Sequence, residues 1–354
     1  MSAVRLTEVC NQSVKKNLLT IFLLVVILFI LGIMIKSELN SELQTCLDTL
    51  EDDKLHIFTM ADGRLRGALF HGTRFVNRMR AQHKLGILET YILGQASLCG
   101  ALTIPMMKDL EHNVIRFEGT GSAEGYSVEA DSTGYVRGYI YNRNIPVLKP
   151  LENWDLKPFL GAGNLTFSRI HKDDKFPQSS TVDVDGKDIA ADFASYFLQS
   201  EQINTAFQTS IKFDRDGTVI GAGAMYLQVM PKTGGTAKLG AQVDSHVNES
   251  DYEEEILLKA ENAFRACPSL GLLYSEKKVT SADIIIGMFR EFNPEITLER
   301  DIRWDCPCNK DYFISYLKNL PKSQIEDFKK NGPNPLEITC RNCGSVYEIP
   351  VSEI

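Results

Sequence analysis

Four cysteines crowd into the last fifty residues of this 354-residue chain: Cys306-Pro307-Cys308 and, after 31 intervening residues, Cys340-Arg341-Asn342-Cys343. Two short pairs at that separation can converge on the corners of a tetrahedron, the arrangement in which a soft divalent metal is held inside a small lobe. One zinc ion bound by Cys306, Cys308, Cys340 and Cys343 is the expectation. Four thiolate ligands leave no open coordination position, so the ion cannot activate water and a zinc hydrolase is the wrong reading. A thioredoxin-like reading fits poorly too, because its reactive pair opens a helix, whereas Cys343 is followed by Gly344 and the strand-like Val346, Tyr347, Glu348 and Ile349. From about Arg303 onward the chain has too few apolar residues to fold alone, and a structural zinc can supply on the order of 10–16 kcal/mol of folding free energy. Cysteines bound to zinc are already thiolates, the species that oxidants attack, so oxidation and metal loss are chemically coupled.

The other four cysteines carry no such pattern. Cys99 falls on the apolar face of a predicted helix and reads as a small buried thiol, and Cys267 beside Pro268 reads as inert. Cys10 and Cys46 flank an apolar run and have no assigned role. The six histidines (His56, His71, His83, His112, His171 and His246) are scattered without metal-binding spacing. With Lys+Arg 38 against Asp+Glu 46 the net charge is -8, and no basic patch of useful length stands out, so no nucleic-acid partner is expected.

Leu18 to Ile35 is an uncharged run, apolar except for Thr20 and Gly32, just long enough to cross a hydrocarbon core. Lys15 and Lys16 precede it and acidic residues follow, so the charge asymmetry favours a cytoplasmic N-terminus with the remainder exported. The alternative is a chain that begins at Met34. A thiolate switch needs a reducing compartment, which makes the cytoplasm the expected location and a membrane anchor through residues 18–35 the alternative.

The class expected is α+β, in four parts. Residues 1–52 form an N-terminal extension, 53–232 a mixed core domain, 233–303 a helical, redox-sensitive linker, and 304–354 a small four-cysteine zinc-binding domain. In the core, helical spacing runs through Leu85, Leu88, Ile92, Ala96 and Cys99, and again through Ile189, Phe193, Tyr196, Phe197 and Ser200. Leu165 and Phe167 alternate as in a strand, while Phe207 to Phe213 and Val219 to Met230 flank a Gly-containing turn as a hairpin. Gly119-Thr120-Gly121 lacks the Lys-Ser/Thr of a phosphate loop and reads as a turn. After the break at Thr233-Gly234-Gly235-Thr236 comes an amphipathic helix, 249–266, whose apolar face holds Tyr252, Ile256, Ala260, Ala263 and Phe264; a further helix spans Ala282 to Phe292.

The cysteine motifs, with Gly344, Ser345, Val346 and Tyr347 completing CxxCGxxY, resemble those of the 33 kDa chaperonin family, the redox-regulated heat-shock chaperones. Tyr196-Phe197-Leu198-Gln199-Ser200-Glu201-Gln202 and Gly221-Ala222-Gly223-Ala224-Met225-Tyr226-Leu227-Gln228-Val229-Met230-Pro231 match its core signatures, and the resemblance runs from about Lys54 to the C-terminus. The chain departs from the pattern at Asn309, where the family has Ser, and in the segment before about Asp52. The resemblance implies an ATP-independent holdase and not an enzyme. Reduced, it would be a zinc-bound, inactive monomer. Oxidised, it would form disulfides within Cys306 and Cys308 and within Cys340 and Cys343, lose zinc, unfold its linker, dimerise, and hold unfolding or oxidatively damaged clients. A bond across the one-residue gap from Cys306 to Cys308 is strained in ordered backbone and should close most readily after the lobe has opened. Two other readings stand beside this one: a zinc-ribbon interaction protein with a purely structural metal, and a thiol oxidoreductase that turns over substrate disulfides.

Overall fold

The computed structural model describes residues 39–147, 153–230, 249–276 and 279–354. The apolar run 18–35, Cys10, His246 and the break at 233–236 lie outside the described residues, as does the side chain of Tyr252. The described chain divides into a larger unit, 39–304 with 341–344, and a smaller one built from 305–340 and 345–354.

Alternating and continuously apolar segments make two sheets in the larger unit. The first uses β1 (Lys54–Met60), β2 (Leu65–His71), β8 (Thr205–Phe213), β9 (Val219–Val229) and β10 (Glu295–Asp301), in the order β10-β1-β2-β9-β8 with every pair antiparallel. The second uses β3 (Glu111–Gly119), β4 (Gly125–Asp131), β5 (Tyr135–Ile140), β6 (Gly163–His171), β7 (Gln178–Val184) and the two-residue β11 (Arg303–Trp304). Its order is β11-β5-β4-β3-β6-β7, and β11 joins parallel to β5. The expected hairpin is β8–β9, turned by Asp214 to Gly217, while Gly119 ends β3 and Thr120 and Gly121 begin the turn to β4.

The predicted helix around residue 92 is α3 (Ile87–Leu102), preceded by α1 (Ser41–Asp48) and α2 (Thr73–His83). Its apolar residues are not confined to one stripe, because α3 packs on β4 and β5 of one sheet and on β2, β8 and β9 of the other. Cys99 lies fully buried there, and burial raises its thiol pKa well above the ordinary value. Among the described residues, 87–106 is the one helical stretch long and apolar enough to cross a membrane, and it is this core helix. The short α4 (Lys157–Leu160) precedes β6, and the second predicted helix is α5 (Ile189–Gln199), whose Tyr196 stacks on Phe167 at 3.8 Å and donates to Glu201.

Residues 40–52, expected to belong to an extension separate from the core, are tied onto it. Arg74 donates to the carbonyls of Leu47 and Leu50 and pairs with Asp52, and Leu47 is buried. Residues 249–303 likewise hold more than the expected helices. They supply α6 (Glu249–Arg265), α7 (Leu270–Tyr274), α8 (Ser281–Phe289) and then β10, because Glu295–Asp301 is extended and pairs along β1. Ala260 and Phe264 of the expected α6 face join Leu270, Tyr274, Ile284, Ile285 and Phe289 in one apolar cluster with Phe58, Met60, Leu65, Leu69, Met225 and Leu227. These helices therefore cover the sheet face opposite α3, and β2 and β9, buried on both sides, read as near-continuous apolar runs.

The glycines of the β9 signature have a steric cause. A Cβ on Gly221 would stand 2.0 Å from the carbonyl oxygen of Gly271 in α7, and one on Gly223 would meet the ring of Tyr274. The strand and the connector helix thus approach backbone to backbone. Beside this joint His71 stacks on Tyr274 with ring centroids 4.0 Å apart and hydrogen-bonds Thr73. Burial first, and the charge of His56 second, push His71 down to about 4 from 6.5. Glu51, 3.4 Å from Nδ1, is too exposed to offset burial.

Gly221→Ala should destabilise the fold by about 1–3 kcal/mol and speed amide exchange in 270–274, because backbone cannot yield as a side-chain tip does. Gly287→Ala, at an open position in α8, should instead stabilise by about 0.5–1 kcal/mol, with thermal melts giving both signs. Below pH 6.5 the unfolded chain takes up a proton at His71 that the folded pocket refuses until about pH 4, so stability falls across that window. Melts of His71→Phe should decline less steeply with acidification over the same range than those of the parent chain.

Candidate metal centre

Each cysteine pair is presented by a different local device. Cys306 follows the end of β11, and its amide donates to Oδ1 of the buried Asp305 at 2.8 Å. Cys308 is followed by Asn309, whose Oδ1 accepts the amide of Tyr312 and so caps α9 (Lys310–Lys318). Asn and Ser both fill that role, which explains why Asn309 is a tolerable departure from the motif. The second pair lies in the turn between β12 (Leu336–Thr339) and β13 (Val346–Ile349), closed by a 2.7 Å bond from the Cys340 amide to the Ser345 carbonyl. Gly344 takes φ +74, and a Cβ there would stand 2.6 Å from the Gln82 carbonyl oxygen, so two constraints demand glycine.

The structure brings all four predicted ligands together. The sulfurs of Cys306, Cys308, Cys340 and Cys343 lie within 4.8 Å of one another, and all four residues are buried. Cys306 Sγ and Cys340 Sγ are 3.9 Å apart, and no disulfide joins any two of the described cysteines. Tetrahedral sulfur at about 2.3 Å from a zinc ion would put neighbouring sulfurs about 3.8 Å apart, whereas a disulfide needs about 2.05 Å. The donor set therefore fits a four-coordinate soft metal and not a bonded pair. Among the described residues no other group of three or more His, Cys, Asp or Glu is arranged to hold an ion. Cys46 is exposed on α1 and Cys267 is buried, its thiol pushed up to about 11 by desolvation. No described histidine joins the four sulfurs: His56 faces Glu299, His112 lies between Glu129 and Asp131, and His83 Nε2 stands 3.3 Å from the carbonyl of Asn342 in the cysteine loop.

Two supporting residues had no place among the predicted ligands. The Tyr347 hydroxyl stands 3.1 Å from Cys308 Sγ and donates to the Cys308 carbonyl at 3.0 Å, so the final letter of CxxCGxxY orients the first cysteine pair. Its place in the motif was the available signal. Asp305 gave none beyond adjacency. The apolar support of the smaller unit is slight: Leu317, Leu336, Ile349 and Val351 are its buried cluster, and α10 (Lys322–Asn331) buries no residue fully. In so small a core, a metal held by the four sulfurs could supply much of the folding free energy.

A family model described as "Hsp33 protein" matches residues 53–350. The 33 kDa chaperonin of Gloeothece citriformis is 30% identical over 299 residues, covering 84% of this chain and 93% of its own. That of Synechocystis sp. is 31% identical over 302 residues, covering 84% and 92%. The crystal structure of the 33 kDa chaperonin (heat shock protein 33 homolog) from Thermotoga maritima superposes with a TM-score of 0.72 at 26% identity, covering 86% of this chain and 96% of that one. With the fold, the match over most of the length and the clustered cysteines in agreement, the chain belongs to the Hsp33 family.

Proposed function

We propose that this chain is a redox-controlled, ATP-independent holdase, restrained when its four cysteines bind one zinc ion and active once they are oxidised. Family membership supports the chaperone function itself. The observation that carries the switch is the set of four buried sulfurs within 4.8 Å beside a small apolar cluster of only four buried residues.

When bound, the metal ties the two cysteine pairs together and supplies the folding free energy that the apolar residues of the lobe do not. Oxidation removes the donors. In each pair two thiolates give up two electrons to hypochlorous acid, forming one S–S bond and releasing chloride and hydroxide. The disulfides are those within Cys306 and Cys308 and within Cys340 and Cys343, and four sulfurs so paired no longer hold the ion. The lobe then loses its organising centre, and the chain running back through 249–303 loses its anchor at that end. Release of α6, α7 and α8 would uncover the apolar face of β1, β2 and β9, a broad surface suited to unfolded or oxidatively damaged proteins. The oxidised form is read as a dimer, and the working compartment as the reducing cytoplasm, where the thiolates survive until stress. Residues 18–35, which offer the alternative of a membrane anchor, lie outside the described residues.

Elemental analysis of the reduced chain should give one zinc per chain, lost in Cys340→Ser under a competing chelator. Tyr347→Phe should keep the ion but bind it about tenfold more weakly. Hypochlorous acid should produce two disulfides, release the zinc and confer suppression of a client's thermal aggregation, all reversed by reductant plus zinc. Equal suppression by the reduced and oxidised chain would instead make the metal purely structural.

A further inference from the structure

Arg341 and Asn342, the two residues between the second pair of cysteines, group with the larger unit, where they rest on the edge of β5. The strand β11 pairs with β5 only at Tyr135 and Val136. Beyond that point the Gly138 amide donates to the Asn342 carbonyl at 3.1 Å, so the loop takes up the place of a further strand. The Asn342 side-chain amide donates to Oε1 of Glu129 at 3.1 Å, while Glu129 is held in place through its other oxygen by Arg137 and His112. The Arg341 guanidinium lies 4.2 Å from the ring centroid of Tyr139 in β5 and 5.7 Å from that of Tyr141 just past its end, two rings whose centroids are 5.7 Å apart.

These contacts read very little that is particular to this loop. They comprise a backbone carbonyl on a strand edge, a planar cation over two rings, and one hydrogen-bond donor on a fixed carboxylate. Any extended polypeptide offers the first, and a segment with arginine next to a side-chain donor offers all three. Arginine suits the rings better than lysine, because its flat, weakly hydrated guanidinium stacks.

We propose that the β5 edge with Tyr139, Tyr141 and Glu129 is a second client-docking surface, selective for extended, arginine-bearing segments, and that Arg341 and Asn342 occupy it in cis while the reduced lobe is folded. The proposal rests on the holdase reading and adds to it a client chemistry that the apolar face beneath α6 to α8 does not supply. When the lobe unfolds, the loop, closed by its own disulfide, leaves the strand and vacates the edge, the rings and the carboxylate together.

The test uses the full-length chain and a short fluorescein-labelled peptide with a central Arg-Asn pair among Thr and Val, against a twin carrying citrulline in place of arginine. By anisotropy, the oxidised chain should bind the arginine peptide about five- to tenfold more tightly than the twin. Tyr139→Leu should bring that ratio to about one, and Tyr139→Phe, which keeps the ring face, should retain it. In the reduced, metal-loaded chain Arg341→Ala should raise affinity for the arginine peptide about fivefold with metal content unchanged. A ratio near one in the parent chain, or a ratio that survives Tyr139→Leu, would overturn the proposal. If the Leu variant does not fold, the Arg341→Ala result decides, and unchanged affinity there overturns it. Aggregation suppression of an arginine-poor apolar client is measured alongside: its loss in every state defeats the holdase reading, whereas its persistence without arginine preference defeats only this docking surface.

Discussion

Four sulfur atoms must meet within 4.8 Å for the last fifty residues to have a centre at all. The residues around them offer one small apolar cluster, a helix that buries nothing fully, and turns whose geometry is set by caps and a single left-handed glycine. Such a segment does not bury enough apolar surface to offset the entropy of ordering its backbone. On the proposed reading, a metal held by the sulfurs supplies what the apolar residues do not, and the same thiolates are what an oxidant attacks. In that reading, stability and sensitivity to oxidation reside in the same atoms.

The grouping of the four sulfurs was legible in the sequence, because the residue type and local spacing that suit metal ligands are visible in the letters. Cys306, Cys308, Cys340 and Cys343 could be named without knowing how the intervening residues fold. Their supports were only half legible: Tyr347 had its place in the motif, though its hydrogen bond to Cys308 needs β13 and the first pair brought together, whereas nothing in the letters marks Asp305 as buried against the Cys306 amide.

Helix and strand periodicity located α3, α5, β6 and the β8–β9 hairpin, since each has an apolar pattern of its own. Periodicity did not reveal that 295–301 is a strand of the first sheet. Its pattern is weak because β10 lies at a sheet edge with most side chains in solvent, and its pairing with β1 spans more than two hundred residues of sequence. The same limit hid the purpose of Gly221 and Gly223. A glycine pair in a strand is a visible oddity, but the helix that presses on it comes from a distant part of the chain.

The placement of β10 divides the connector into parts held in different ways. Helices α6, α7 and α8 stay on the sheet mainly through side-chain packing, which weakens smoothly as contacts loosen. The strand β10 is held by a ladder of backbone hydrogen bonds to β1, and peeling it away would bare a sheet edge able to accept any other strand. The change from one kind of attachment to the other falls at Asn293, which takes φ +49 where the chain leaves the last helical turn for the strand. The connector is thus a fastening of two grades, with its seam written into one left-handed residue.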